Sequence, residues 1–134
     1  MRVLVIDDSI DTVRFLSGAA KAEQVDEATS GEEALAFATQ TTYDLITLDI
    51  RMPGVTGLDI LSVLRSLCPH AVIAIISGHL MDTAENQSVE SYADVLIGKP
   101  VSLERFKRLL SLADELGDIR QRIRKLSEWT ESIT

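Results

Sequence analysis

The sequence predicts a single α/β domain, built as a doubly wound, five-stranded parallel sheet with helices on both faces. Short apolar runs rich in Val and Ile alternate with helix-like segments, a pattern typical of strands buried on both faces. Four of these runs end in residues capable of chemistry, and ligands bind at the carboxyl ends of parallel strands. The 134 residues, 46% of them apolar, suffice to bury one core.

The first half of the chain contains two predicted strands and two helices. Residues 3–6 form the first strand and run into Asp7-Asp8, after which apolar residues recur at helical spacing to about residue 20. A second strand near residues 25–28 is polar enough to lie at an edge of the sheet. Ser30 and Glu33 have the spacing of a capping box that starts the second helix.

The third strand, residues 45–48, ends in Asp49. A turn at residues 53–57 leads into a third helix, which Pro69 stops, and the fourth strand, residues 72–76, ends in Ser77. Residues 81–92 have few apolar positions, so we expect a short or mobile fourth helix.

The fifth strand, residues 95–98, runs into Lys99-Pro100, and the final helix begins near Ser102. Right-handed crossovers favour the strand order 2-1-3-4-5. In that order the chain adds strands first toward one edge of the sheet and then toward the other, and this change of direction lies between the first and third strands. The crevice there receives Asp7, Asp8 and Asp49.

These three carboxylates would repel one another unless one were protonated or a cation bound them. Mg²⁺ is the simplest answer, because it prefers oxygen ligands and takes one or two carboxylates together with water or phosphate. Asp49 stands alone at the end of the central strand and is therefore the candidate nucleophile toward phosphorus. Lys99 supplies an ammonium for the phosphoryl oxygens, and the Ser77 hydroxyl is a hydrogen-bond donor that a phosphoryl group would draw inward.

Four motifs, VLVIDDS, LITLDIRMPGVTG, IISG and IGKP, closely resemble those of the receiver domains of two-component response regulators, the CheY-like superfamily with a flavodoxin-like fold. They occur in the family's order and at its usual spacings. The resemblance covers residues 1–113. It implies a switch that catalyses only its own phosphorylation and dephosphorylation, and so is not an enzyme acting on a separate substrate.

The resemblance also implies partners and metal ligands. A histidine kinase or a histidine phosphotransfer protein would phosphorylate Asp49. Asp8 and Asp49 would bind Mg²⁺ directly, Asp7 would bind it through water, and the Arg51 backbone carbonyl would be a further ligand.

Ser77 would be the switch hydroxyl, Lys99 the phosphate-binding lysine, and the Lys99-Pro100 peptide bond cis. Leu96 stands where the family commonly has Tyr or Phe, which puts the usual aromatic readout in question. Arg51 and His79 correspond to positions that flank the phosphoryl group and influence its hydrolysis, and Gly78 lies between Ser77 and His79.

Residues 114–134 form a predicted helical extension. Positions spaced alternately by three and four residues form a heptad seam: Leu109, Leu112, Leu116, Ile119, Ile123, Leu126, Thr130 and Ile133. This seam favours a coiled-coil homodimer, in which Glu115 would face Arg120 of a second copy. Alternatively the helix folds its apolar stripe back on its own domain, or the helix links the domain to an output module absent from this chain.

The composition excludes some partners. A net charge of −8 argues against direct binding to nucleic acid or to anionic membranes. The single Cys68 and the lack of an apolar stretch of about 18 residues favour a cytoplasmic location.

Three other functions compete with the switch. One is a constitutive coiled-coil scaffold with an inactive site. Another is a Mg²⁺-dependent phosphatase of the dehalogenase type, which would carry a second aspartate where this chain has Arg51. The third is a flavodoxin-like nucleotide or flavin binder, which would need a phosphate cradle after the first strand instead of two aspartates.

Overall fold

The computed structural model describes residues 1–20, 23–78 and 82–133, and it describes side chains as far as Trp129. Within these residues, five parallel strands alternate with five helices. The strands are β1 Arg2–Ile6, β2 Gln24–Ala28, β3 Leu45–Leu48, β4 Val72–Ser77 and β5 Val95–Gly98. The helices are α1 Ile10–Ala19, α2 Gly31–Gln40, α3 Gly57–Leu67, α4 Thr83–Tyr92 and α5 Leu103–Ile133. The sheet order β2-β1-β3-β4-β5 confirms the predicted topology, with the polar β2 at an edge.

The sheet separates two apolar layers, because neighbouring side chains of a strand point to opposite faces. Leu4, Ile46 and Ile73 belong to the layer covered by α2 and α3. Val3 and Leu45 belong to the other layer, where Phe106 of α5 and residues of α1 cover them. All four residues of β3 are buried, as a strand at the centre of a three-layer sandwich requires.

Strand register brings the site residues to one level. Ile6 at the end of β1 pairs with Leu48 at the end of β3, and Leu48 pairs with Ile75 near the end of β4. The residues that follow these strands therefore emerge side by side at the carboxyl edge of the sheet.

The sequence predicts that helix α4 is short or mobile. Its ten residues equal the length of α1 and of α2, so it is not short relative to them, and its mobility stays a prediction. A capping box stabilises its start. Asp82 accepts a hydrogen bond from the Glu85 backbone N–H, and Glu85 accepts one from the Asp82 N–H. Only Glu85 and Val89 of this helix are buried.

The start of α2 also differs from prediction. The Ser30 hydroxyl oxygen accepts a hydrogen bond from the Glu33 N–H, but the Glu33 carboxylate accepts from the Thr29 N–H, one residue earlier than in a capping box. A complete box, like the one at α4, lies at α3, where Thr56 and Asp59 bond each other reciprocally. Sequence analysis missed it, since Asp is less typical of that position than Glu or Gln.

Helix α5 runs without interruption across the predicted domain boundary at residue 113. Its start is as predicted, since the Ser102 side chain accepts a hydrogen bond from the Arg105 N–H at 3.1 Å. Leu109 and Ala113 are buried in the core, whereas Ile119 and Ile123 are exposed. Within the residues that the structure describes, no helix has the length and hydropathy needed to cross a bilayer.

Candidate functional site

The carboxyl edge of the sheet brings together three aspartates, here called the acidic cluster: Asp7, Asp8 and Asp49. Their nearest carboxylate oxygens all lie within 4.8 Å of one another. Asp7 and Asp49 are only 2% and 4% exposed, while Asp8 is open to solvent. The predicted convergence of these three residues is confirmed.

Backbone groups orient the two buried carboxylates. The Ser9 N–H donates to Oδ1 of Asp7 at 2.9 Å, and the Arg51 N–H donates to Oδ1 of Asp49 at 3.1 Å. Each carboxylate therefore has one oxygen fixed by the loop that follows its strand. The other oxygen, Oδ2, is directed at Lys99 in both cases.

Lys99 follows β5, and its Nζ lies 2.8 Å from Oδ2 of Asp7 and 3.3 Å from Oδ2 of Asp49. The Lys99-Pro100 peptide bond is cis, as the resemblance implied. Burial lowers the pKa of Lys99, but the hydrogen bond to Asp7 and the charges of Asp49 and Asp7 outweigh it, so the pKa is raised overall. Lys99 is therefore an ammonium at neutral pH.

The pKa of Asp49 is raised above its usual value. Burial is the largest cause and the Asp7 charge adds to it, while the Arg51 N–H and Lys99 act in the opposite direction. Three carboxylates against one ammonium leave negative charge in excess. An all-oxygen donor set with one member open to solvent fits a hard divalent cation such as Mg²⁺.

Ser77 is the last residue of β4, and it is buried. It pairs in register with Gly98, and its carbonyl oxygen accepts a hydrogen bond from the Lys99 N–H at 2.9 Å. Gly78 is exposed beside the Lys99 side chain, and His79 lies outside the described residues. Leu96 is exposed on β5, where it pairs in register with Ile75.

The Arg51 side chain makes an ion pair that sequence analysis missed. Its Nη2 lies 3.0 Å from Oε1 of Glu85, a carboxylate of α4 that is 8% exposed. The spacing of Asp82 and Glu85 is a capping-box signal for a helix start. Nothing in the sequence indicated the pairing with Arg51, 34 residues away.

A second polar group, the Asp94 cluster, lies at the opposite edge of the sheet and consists of Asp94, Arg65 and Arg120. Asp94 Oδ2 accepts from Arg65 Nη2 at 2.8 Å, and Asp94 Oδ1 accepts from Arg120 Nη2 at 3.2 Å. Arg120 Nη1 also donates to the carbonyls of His70 and Ala71, at 2.8 and 3.0 Å.

The guanidinium of Arg120 thus contacts its own domain, and its predicted pairing with Glu115 of a second copy stays a prediction. The same contacts lower the pKa of Asp94. Burial raises that pKa, but hydrogen bonds from the Ile73 N–H and Arg65, together with the two arginine charges, outweigh it. Sequence analysis missed this cluster as well.

Comparison with known proteins finds similar sequences and similar folds. The family model for the response regulator receiver domain matches residues 3–111. A response regulator receiver protein from Anaeromyxobacter sp. strain Fw109-5 is 32% identical over 106 residues, which are 78% of this chain and 44% of the relative. The chain spans half the length or less of several curated relatives that it matches.

Two solved structures share the fold. The Vibrio cholerae chemotaxis protein CheY4 is 26% identical with a TM-score of 0.75, over 84% of this chain and 97% of the other. A response regulator from Burkholderia pseudomallei, whose structure contains a phosphorylated aspartic acid, a calcium ion and citrate, is also 26% identical. Its TM-score is 0.74, over 97% of this chain and 80% of the other.

Proposed function

Because this chain belongs to the response regulator receiver domain family, we propose that it is a phosphorylatable switch of a two-component phosphorelay with Asp49 as the phosphoacceptor. The observation that carries the proposal is the position of the Asp49 carboxylate. It is buried at the end of the central strand, with Lys99 on one side and the other two carboxylates beside it. A receiver is a signalling switch, and its reaction modifies only itself.

In the proposed reaction an Asp49 carboxylate oxygen attacks the phosphorus of a phosphohistidine on a histidine kinase or a phosphotransfer protein. The P–N bond breaks, and a proton goes to the leaving imidazole. Lys99 is already an ammonium within 3.3 Å of Asp49, so it is in position to neutralise charge on the transferring phosphoryl oxygens. Attack of water on the acyl phosphate later returns the free carboxylate and inorganic phosphate.

Asp7, Asp8, Asp49 and the Arg51 backbone carbonyl would hold Mg²⁺ at this site. When bound, the ion would balance the charge of the carboxylates and of the phosphoryl group. Two facts support a divalent cation here: the excess negative charge of the acidic cluster, and the presence of a calcium ion as well as a phosphorylated aspartic acid in the structure of the similar Burkholderia pseudomallei regulator.

Ser77 would serve as the switch residue. A phosphoryl group adds nearly two negative charges and strong acceptor oxygens, so it would attract the Ser77 hydroxyl from the end of the neighbouring strand β4. Gly78 and His79 follow Ser77 in the sequence, and we propose that they, with Arg51, tune the lifetime of the phosphoryl group. Leu96, in place of an aromatic residue, would present an aliphatic output surface on β5.

The mass of the intact protein, measured after treatment with acetyl phosphate and Mg²⁺, tests the central proposal. We expect wild type to gain one phosphoryl mass and Asp49→Asn to gain none. An unmodified wild type would favour the constitutive scaffold. Release of many phosphates per protein from a simple phosphomonoester would instead favour the phosphatase.

We further propose that the C-terminal helix forms a homodimer. The exposed part of the heptad seam supports this, since Ile119, Ile123 and Leu126 are 49%, 61% and 64% exposed. Light scattering should show a dimer for wild type, a monomer for Ile123→Asp, and a dimer for Lys125→Asp, which places the same charge off the seam. A wild-type monomer at all concentrations, with or without phosphorylation, would exclude this association.

A further inference from the structure

Glu85 is a nearly buried carboxylate on a helix with little apolar packing. It lies in the first turn of α4 and is 8% exposed. A carboxylate so far removed from water requires hydrogen-bond partners or a cation. Arg51 provides the cation, from the loop that follows the proposed phosphoacceptor.

A short series of contacts joins Asp49 to the start of α4. The Arg51 N–H donates to Asp49 Oδ1 at 3.1 Å, and the Arg51 guanidinium lies 3.0 Å from Glu85 Oε1. The same oxygen of Glu85 accepts a hydrogen bond from the Asp82 N–H, the N-cap of α4, at 3.3 Å. Glu85 therefore holds Arg51 and the start of the helix through one atom.

Resting on the function proposed above, we infer that Glu85 is a positioning residue, which retains the Arg51 guanidinium on α4 and so withholds it from the phosphoryl group on Asp49. The backbone of Arg51 is already hydrogen-bonded to the phosphoacceptor. A guanidinium is a strong ligand for phosphoryl oxygens, since it donates two parallel hydrogen bonds. The charge of Glu85 competes for the same donors.

The competition acts in both directions, because coupling between two sites is reciprocal. If Glu85 weakens the contact of Arg51 with a phosphoryl group, phosphorylation weakens the contact of Arg51 with Glu85. The first turn of α4 then loses a tie to the loop after β3. The ion pair would make the start of α4 respond to the state of Asp49.

The test measures the rate constant for phosphorylation by acetyl phosphate in Mg²⁺, from the mass of the intact chain over time. Glu85→Gln retains an oxygen acceptor for the Asp82 N–H while removing the charge. We expect it to react about fivefold faster than wild type, because a freed guanidinium stabilises charge on the transferring group. Glu90→Gln, an exposed carboxylate of the same helix, should match wild type.

The same substitution in an Arg51→Met background shows whether Glu85 acts through Arg51. We expect no acceleration there. An equal change in both backgrounds, or no change in either, would overturn the inference while leaving phosphorylation of Asp49 intact. A wild type that gains no phosphoryl mass would instead remove the proposed function, and this inference with it.

Hydrogen exchange supplies a readout that does not depend on rates. The Glu85 N–H bonds Asp82 Oδ1 at 2.8 Å, and the Asn86 N–H bonds the Asp82 carbonyl at 3.0 Å. With beryllofluoride as the phosphoryl analogue, protection of these two amides should fall in wild type and stay constant in Arg51→Met. Equal loss of protection in both proteins would contradict the role given to the ion pair.

Discussion

Asp8 differs from the other members of the acidic cluster in being exposed. The two buried carboxylates are held by Lys99 and by backbone N–H groups, so Asp8 has the greatest freedom to turn toward an incoming cation. Its charge also repels its neighbours when no cation is bound. We therefore expect Asp8 to lower the stability of the cation-free state and to raise the affinity for the cation.

Asp8→Asn should be more stable than wild type in EDTA and less stabilised by Mg²⁺. Saturating Mg²⁺ should raise the free energy of unfolding of wild type by about 1 to 3 kcal/mol, because the ion binds only the folded state. The variant should gain less than half as much. Urea unfolding across a MgCl₂ titration measures both effects, with Asp11→Asn, an exposed residue of the first turn of α1, as the control. Equal gains in wild type and Asp8→Asn would rule out this role for Asp8.

Asp94 makes stability depend on pH. Its pKa is lowered in the folded protein, so its contribution is present above the unfolded pKa of about 3.9 and is lost as the pH falls through the folded value. Asp94→Asn keeps an acceptor for the Ile73 N–H but loses the charge that two arginines contact. At pH 7 we expect it to lower the free energy of unfolding by about 1 kcal/mol, because solvent screens the partly exposed ion pairs.

Urea unfolding of wild type and Asp94→Asn from pH 7 to pH 3 measures this dependence. The difference between the two proteins should be constant above about pH 5 and shrink as Asp94 becomes protonated. A difference that does not change with pH would mean that Asp94 acts through its shape and not through its charge.

The start of α3 requires a residue without a side chain. A Cβ added at Gly57 would collide with the carbonyl oxygen of Asp49 and lie 2.9 Å from its carbonyl carbon. This close approach seats the helix directly against the backbone of the proposed phosphoacceptor. Gly117, within α5, has nothing within 4 Å of the same added atom, and its helical position gains nothing from glycine.

The two glycines should therefore respond oppositely to alanine. Gly57→Ala should lower the free energy of unfolding by about 2 kcal/mol through overpacking. It should also slow phosphorylation of Asp49, whose backbone must move. Gly117→Ala should raise the free energy of unfolding by as much as about 1 kcal/mol, because alanine is the better helix former. Thermal unfolding of both variants checks the signs, and a neutral Gly57→Ala would show that the loop adapts.

The length and stability of helix α4 could not be predicted from sequence patterns. Its existence is readable from the capping residues Asp82 and Glu85, but its length is not, because apolar periodicity is weak there. Part of its stability comes from an ion pair with a residue 34 positions away. Contacts of that kind leave no local signal.

Across the whole molecule, the sheet order and the convergence of Asp7, Asp49 and Lys99 followed from the sequence. Buried strands have a strong apolar pattern, and parallel strands deliver their last residues to a common edge. The ion pairs of Arg51 and Arg120 did not follow, since long flexible side chains reach partners that only the assembled fold brings near.

Arg120 fastens the C-terminal helix to the edge of the sheet opposite the phosphoacceptor. Arg120→Gln removes a charged donor from two carbonyls and from Asp94, so we expect a loss of about 1 to 2 kcal/mol in the free energy of unfolding and faster exchange of the amides of residues 117–124. Arg122→Gln breaks only an exposed pair with Asp118 on the same helix and should cost a few tenths of a kcal/mol. Equal effects would show that Arg120 does not fix the helix.

Because helix α5 is continuous and is fixed to the domain at Arg120, the direction in which each later residue faces is set relative to the domain. Each residue added after Arg120 turns the exposed apolar stripe at Ile123 by about 100° around the helix axis, while seven added residues return it to within about 20°. A partner that contacts both the domain and this stripe is therefore sensitive to the number of residues between Arg120 and Ile123. An insertion of seven residues keeps both contacts on nearly the same side of the helix. Inserting one alanine after Gln121 should abolish such a response, and inserting seven should restore it.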